Sequence, residues 1–155
     1  MHFLVKQVHK ILLKKQKTIA VAESCSGGLL SKVLTDLPGS SRYFILGIVA
    51  YSNKAKINLL GIPSNILKHS QAVSKEVASL MAKKIRQIVN TDLGIGITGI
   101  AGPTGGTAKL PKGTVFIALE TKNKKICKEF HFKGNRLEVR KKAVLNALSL
   151  IKNLL

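Results

Sequence analysis

Residues 19–37 read "IAVAESCSGGLLSKVLTDL". The uncharged run Ile19 to Ala22 has the length of a buried strand, and Leu29 to Leu37 places apolar residues at helical spacing. Between them stand a carboxylate, two hydroxyls, a thiol and two glycines. A strand that hands over to a helix through a glycine turn is the building unit of an α/β domain.

Working outward, "MHFLVKQVHKILLKKQK" is basic and amphipathic, with Leu4, Val8, Ile11 and Leu12 at helical spacing. It predicts a first helix; a targeting or membrane-surface helix is the alternative. Its longest apolar run is three residues, too short for a signal-peptide core, so the reading is cytoplasmic. A strand over Thr18 to Ala22 precedes a helix over Ser26 to Leu37, which "LPGSS" breaks. Phe44 to Tyr51 predicts a second strand, followed by a short helix around Lys54 to Leu60 and by "GIPSN". Ser74 caps a helix reaching Val89, and Leu93 to Ile97 is a third strand running into "TGIAGPTGG". Gly113 to Thr121 and Lys125 to Phe132 form a hairpin around "TKNK". Asn135 and Glu138 make a capping box for the last helix.

This order predicts one α/β domain over residues 1–155 with a mixed, partly parallel sheet of about five strands. In such sheets the strand-to-helix loops gather at the carboxyl edge, where ligands bind. "ESCSGG", "YSNKAK" and "TGIAGPTGG" share that edge.

Composition narrows the chemistry. The chain carries 26 basic and seven acidic residues, a formal charge of +19, which attracts polyanions and small phosphorylated ligands. Only 5% of residues are aromatic, so base-stacking platforms are scarce; "KEFHFKG" offers Phe130 and Phe132 on one strand face. Solvated lysine-rich faces explain the charge better than specific nucleic-acid binding. The two cysteines form no CxxC, the four histidines are scattered without HExxH, and no two acids are spaced as a catalytic pair. Metal-centred and paired-carboxylate hydrolysis have little to work with, and no stretch suits a membrane span.

"GIGITG" (94–99) spells GxGxxG, but its glycines lie within the strand and no helix follows, so it does not read as a dinucleotide site. "TGIAGPTGG" reads either as a nest of backbone N–H groups for an anion or as an unliganded loop. "ESCSGG" opens a helix, whose free N–H groups attract phosphate or carboxylate, although Ser24 and Ser26 are also natural caps. A serine nucleophile needs a base, and lysine is the candidate, because burial and positive surroundings lower its pKa. Lys56 is the best placed, yet by itself it reads better as an ordinary surface lysine.

Seven stretches, in order and at compatible spacing, resemble the CinA carboxy-terminal domain family, the nicotinamide-nucleotide amidases: "AESCSGG", "LPGSSRYF", "VAYSNKAKINLLG", "AVSKEVA", "GITGIAGPTGG", "PKGTVFIA" and "GNR". The resemblance implies a three-layer α/β/α fold and hydrolysis of nicotinamide mononucleotide to nicotinic acid mononucleotide and ammonia. It also implies no cofactor, homodimers, and a stand-alone amidase without the larger N-terminal domain of two-domain relatives. A nucleotide-binding member without hydrolysis and a basic nucleic-acid-binding domain are the competing readings. Three departures touch the expected site: Thr104 in place of an Asp, Lys54 in place of a Glu, and Lys112 in place of a small apolar residue.

Carried onto this chain, the family's functional positions fall on Ser41, Tyr51, Lys56, Thr98 and Arg136, with Ser24 in the glycine turn. Ser26, Gly27, Gly28, Gly99 and Gly102 complete the expected substrate walls, and Arg136 reads either as a phosphate ligand or as a solvated arginine near Glu138. The topology objects to Ser41: it precedes a strand that Lys56 follows, and eight strand residues span roughly 26 Å. Either the "GSS" loop folds back, or Ser41 serves a neighbouring subunit, or Ser24 is the partner of Lys56.

Overall fold

A computed structural model describes residues 1–69 and 72–155; the side chain of His69, one of the four scattered histidines, lies outside the described set. The elements run α1 (His2–Lys15), β1 (Ile19–Glu23), α2 (Leu29–Thr35), β2 (Phe44–Val49), α3 (Asn53–Leu60), α4 (Ser64–His69), α5 (Lys75–Ile88), β3 (Leu93–Gly99), β4 (Thr114–Glu120), β5 (Lys125–His131) and α6 (Arg136–Leu154). The five strands lie in the order β2-β1-β3-β4-β5. The first three are parallel, and β4 and β5 are antiparallel additions. The mixed sheet expected from the element order is therefore present.

Strand alternation builds the three layers. Ile19 and Val21 of β1, with Leu93, Ile95 and Ile97 of β3, pack towards α1, α2 and α6. Their neighbours Ala20 and Ala22 face α3, α4 and α5 on the other side. The second face is lined by small residues, which lets α5 lie very close to the sheet. A Cβ on Gly94 or Gly96 would overlap the carbonyl oxygens of Ala82 or Ala78 in α5. The glycines of "GIGITG" are thus a helix-packing device.

Two local expectations change. The helix predicted from Ser26 starts only at Leu29, because Gly27 and Gly28 take φ values of +61° and +89° and turn the chain first. It ends at Thr35, and Ser40–Arg42 forms a short 3₁₀ turn before β2. Residues 64–69 add a helix, α4, after Pro63 where only a break was expected. The capping box of α6 is present, with Asn135 accepting from the Glu138 N–H and Glu138 accepting from the Asn135 N–H.

Candidate active site

The carboxyl ends of β1 and β3 and the segment after β2 converge as predicted. Ser24 directly follows β1 and stays in register, its N–H donating to Ile97 O at 2.9 Å. Across from it, Ser52 caps α3 by accepting from the Ala55 N–H at 3.0 Å. That cap sets Lys56 in the first turn of α3 with its side chain directed inward. Lys56 is only 2% exposed, which removes the surface-lysine reading. Its Nζ lies 3.2 Å from Ser24 Oγ and 3.2 Å from Tyr51 O. Burial lowers the Lys56 pKa below its ordinary value, so the amine moves towards the neutral form that can accept a proton. The same 3.2 Å contact then serves as a Ser24 O–H donating to the lysine nitrogen.

These groups line a cavity of about 280 Å³. Tyr51, Thr98, Gly99, Gly102 and Arg136 also line it, as expected, and so do Cys25 and Thr104. Arg136 stands at the mouth, donating to Gly102 O at 2.8 Å and to the Tyr51 hydroxyl at 2.7 Å. It thereby joins α6, the glycine-rich loop and the segment after β2. The Thr98 hydroxyl donates to Ala72 O at 2.7 Å, tying the end of β3 to the start of the α5 region. Cys25 is an unsuitable nucleophile, because burial pushes its thiol up to about 12 and keeps it neutral.

Part of the expected wall lies elsewhere. Ser26, Gly27 and Gly28 do not line the cavity. The α2 N-terminus is not open to a substrate phosphate, because the fully buried Glu23 already occupies it. The Glu23 carboxylate accepts from the N–H groups of Gly28, Leu30 and Ser31 and from the Ser31 hydroxyl, at 2.7–3.1 Å. On the outer side of the same turn, Arg140 of α6 donates to Ser26 O at 3.0 Å.

Ser41 lies exposed in the 3₁₀ turn before β2, at the amino edge of the sheet. Lys56 lies beyond the carboxyl edge, so the "GSS" loop does not fold back to it within the chain. Five strand steps, from Phe44 to Val49, separate the two edges by roughly 16 Å.

Sequence reading missed Glu23 and Arg140. The signals were an acid just ahead of a glycine turn that opens a helix, and an arginine one turn beyond Arg136 in a chain with only four. A larger cavity, about 530 Å³, opens at the amino edge beside Lys17, Arg86, Lys122 and Lys124. It holds no nucleophile–base pair, so size alone does not mark the chemistry. Among the described residues, no three His, Cys, Asp or Glu side chains gather to hold a metal, and no helix is long and apolar enough to cross a membrane.

Residues 1–155 match the family model described as the CinA C-terminal domain. The chain is 48% identical over 149 residues to a CinA-like protein of Syntrophus aciditrophicus, covering 96% of this chain and 36% of that protein. It is 50% identical over 127 residues to a CinA-like protein of Geotalea daltonii, covering 82% of this chain and 31% of that one. The chain therefore spans about a third of the length of these curated relatives. Among solved structures, the competence/damage inducible protein CihA of Agrobacterium tumefaciens superposes with a TM-score of 0.96 at 32% identity, covering 99% of this chain and 94% of that one. The competence damage-inducible protein A (ComA) of Klebsiella pneumoniae gives 0.94 at 31% identity, covering 98% and 94%.

Proposed function

The chain belongs to the CinA C-terminal domain family, and from that premise we propose that it is an amidohydrolase converting nicotinamide mononucleotide to nicotinic acid mononucleotide and ammonia. The observation that carries the reading is the buried contact between Lys56 Nζ and Ser24 Oγ at 3.2 Å, inside a cavity at the carboxyl edge.

In this reading neutral Lys56 takes the Ser24 proton as Oγ attacks the carboxamide carbon. The tetrahedral intermediate collapses with cleavage of the C–N bond, and Lys56 returns the proton to the departing nitrogen, which leaves as ammonia. Water then attacks the Ser24 ester, giving its proton to Lys56. The C–O bond to Ser24 breaks, Oγ recovers the proton, and the carboxylate is released. Arg136, at the mouth, offers a planar fork for the phosphate. Tyr51 orients that fork through its hydroxyl. Ser41 enters only if a second copy of the chain supplies it, and the site needs no metal for any of these steps.

The test is ammonia release from nicotinamide mononucleotide by purified protein in the presence of a chelator. Lys56→Ala and Ser24→Ala should each lower kcat by roughly a thousandfold or more, and Ser41→Ala by far less. Comparable kcat in Lys56→Ala removes lysine from the mechanism. A thousandfold loss confined to Ser41→Ala transfers the nucleophile to Ser41.

A further inference from the structure

Arg140 lies one helical turn beyond Arg136 on α6, and its side chain reaches the turn that presents Ser24. Its Nε donates to Ser26 O at 3.0 Å, and Nη2 lies 3.5 Å from Gly27 O. The guanidinium sits over Gly27, where an added Cβ would lie 3.0 Å from Nη2, so the absent side chain makes room for it. The turn is closed by the Gly27 N–H donating to Ser24 O at 3.0 Å. A constraint on the carbonyls of residues 26 and 27 is therefore a constraint on Ser24. The Ser26 hydroxyl does not hold the turn, because it is buried with no hydrogen-bond partner.

Two opposite charges thus grip one turn. Glu23 takes the N–H groups on its helical side. Arg140 takes the C=O groups on its outer side. A charge-assisted pair of hydrogen bonds from a planar fork fixes direction as well as distance. We propose that Arg140 is a positioning residue for Ser24, holding the turn so that Oγ stays within reach of the Lys56 amine. The proposal rests on the reading of Ser24 as nucleophile. The first turns of α6 then serve both halves of the reaction: Arg136 faces the substrate, and Arg140 faces the nucleophile from behind.

The experiment reads Ser24 without the amide substrate. An alkyl fluorophosphonate reacts with an activated serine: Oγ bonds to phosphorus, fluoride leaves, and the serine proton passes to the lysine. Labelling is followed by mass spectrometry and mapped to the peptide that carries Ser24. Arg140→Met keeps most of the stem and loses the fork, and Arg140→Lys keeps the charge as well. Displacing a reacting group by about 1 Å costs up to roughly a hundredfold, so labelling in Arg140→Met should slow by about 10- to 100-fold. For nicotinamide mononucleotide, kcat should fall by the same factor with KM nearly unchanged, whereas Arg136→Met should raise KM. Methylguanidinium in solution should restore part of the Arg140→Met rate. If that variant does not fold, Arg140→Lys at unchanged melting temperature should show the same split, smaller in size. Wild-type labelling at Ser24 with equal labelling rates in the folded Arg140 variants overturns the role of Arg140 and leaves the Ser24 reading intact. No labelling of wild-type Ser24 overturns both.

Discussion

At the scale of single residues, the chemistry turns on where one lysine sits. Lys56 is buried, and burial disfavours its charged form. Its folded pKa lies below the ordinary 10.5, so between the two values the unfolded chain binds more protons than the folded one. Stability therefore rises with pH across that window. The cost of a buried ammonium is fully present below the folded pKa and absent above 10.5. Activity should follow the same ionisation, because only the neutral amine can accept the Ser24 proton. The expected profile of kcat/KM rises with pH through one pKa below 10.5. Lys56→Arg, held cationic, should lack both the rising limb and the activity, and Lys56→Met should flatten the stability dependence in urea titrations at successive pH values. A wild-type profile flat from pH 6 to 10 would detach the lysine from the rate. The sequence marked Lys56 as the best-placed candidate base without showing that it is buried; its burial comes from the Ser52 cap and the tertiary packing of α3. Glu23 was hidden more completely. "AESCSGG" signals an acid ahead of a glycine turn, but not that two positive-φ glycines will bring the N–H groups of residues 28, 30 and 31 onto that carboxylate.

At the scale of elements, periodicity and punctuation carried most of the reading. Strands β1 to β5 and helices α5 and α6 lie where alternation, capping residues and the "TKNK" turn predicted them. The misses have different causes. The start of α2 is set locally, by the turn at Gly27 and Gly28 that brings its first N–H groups onto Glu23. The existence of α4 rests on Leu67 packing into the core beneath α5, a contact distant in sequence that a local pattern does not contain. "GIGITG" is instructive because one spelling serves two physical ends. In a dinucleotide site, glycines admit a pyrophosphate; here Gly94 and Gly96 admit the backbone of α5. Gly96→Ala would drive Cβ into the Ala78 carbonyl and to 2.7 Å from Ala82 N, so α5 must retreat from β3. The expected loss is about 1–3 kcal/mol in urea denaturation. Because the end of β3 is tied to residue 72 through Thr98, part of the effect should reach the cavity as a raised KM. A substitution without cost would mean that α5 does not lie so close to the sheet.

At the scale of the whole molecule, the formal charge of +19 raises the question of whether nucleic acid is a partner. Charge alone argues for it, since each phosphate neutralised by a lysine releases counterions. The aromatic inventory argues against readout of bases. Phe130 and Phe132 stack on each other, with centroids 5.3 Å apart, and pack against the core. Tyr43 and Phe116 are buried, and Phe44 packs on the same core as the Phe130–Phe132 pair. Phe3, 74% exposed, and Tyr51, 56% exposed, are the aromatic rings left at the surface, and the Tyr51 hydroxyl is held by Arg136. The strand face that looked like a thin stacking platform in the sequence is therefore half-buried and committed to ring stacking and to the core. Phosphate contacts from scattered lysines remain, and they carry no sequence information. Binding to short DNA or RNA, measured by fluorescence anisotropy, should be similar for unrelated sequences. It should weaken by roughly a hundredfold between 50 and 200 mM salt, as expected for about four phosphate contacts. In the proposed reading, nicotinamide mononucleotide presents a single phosphate to Arg136, so its hydrolysis should lose far less over the same range. Nanomolar, sequence-selective binding that survives about 150 mM salt would reverse this ranking, since contacts to bases would then have to come from groups other than the aromatic rings.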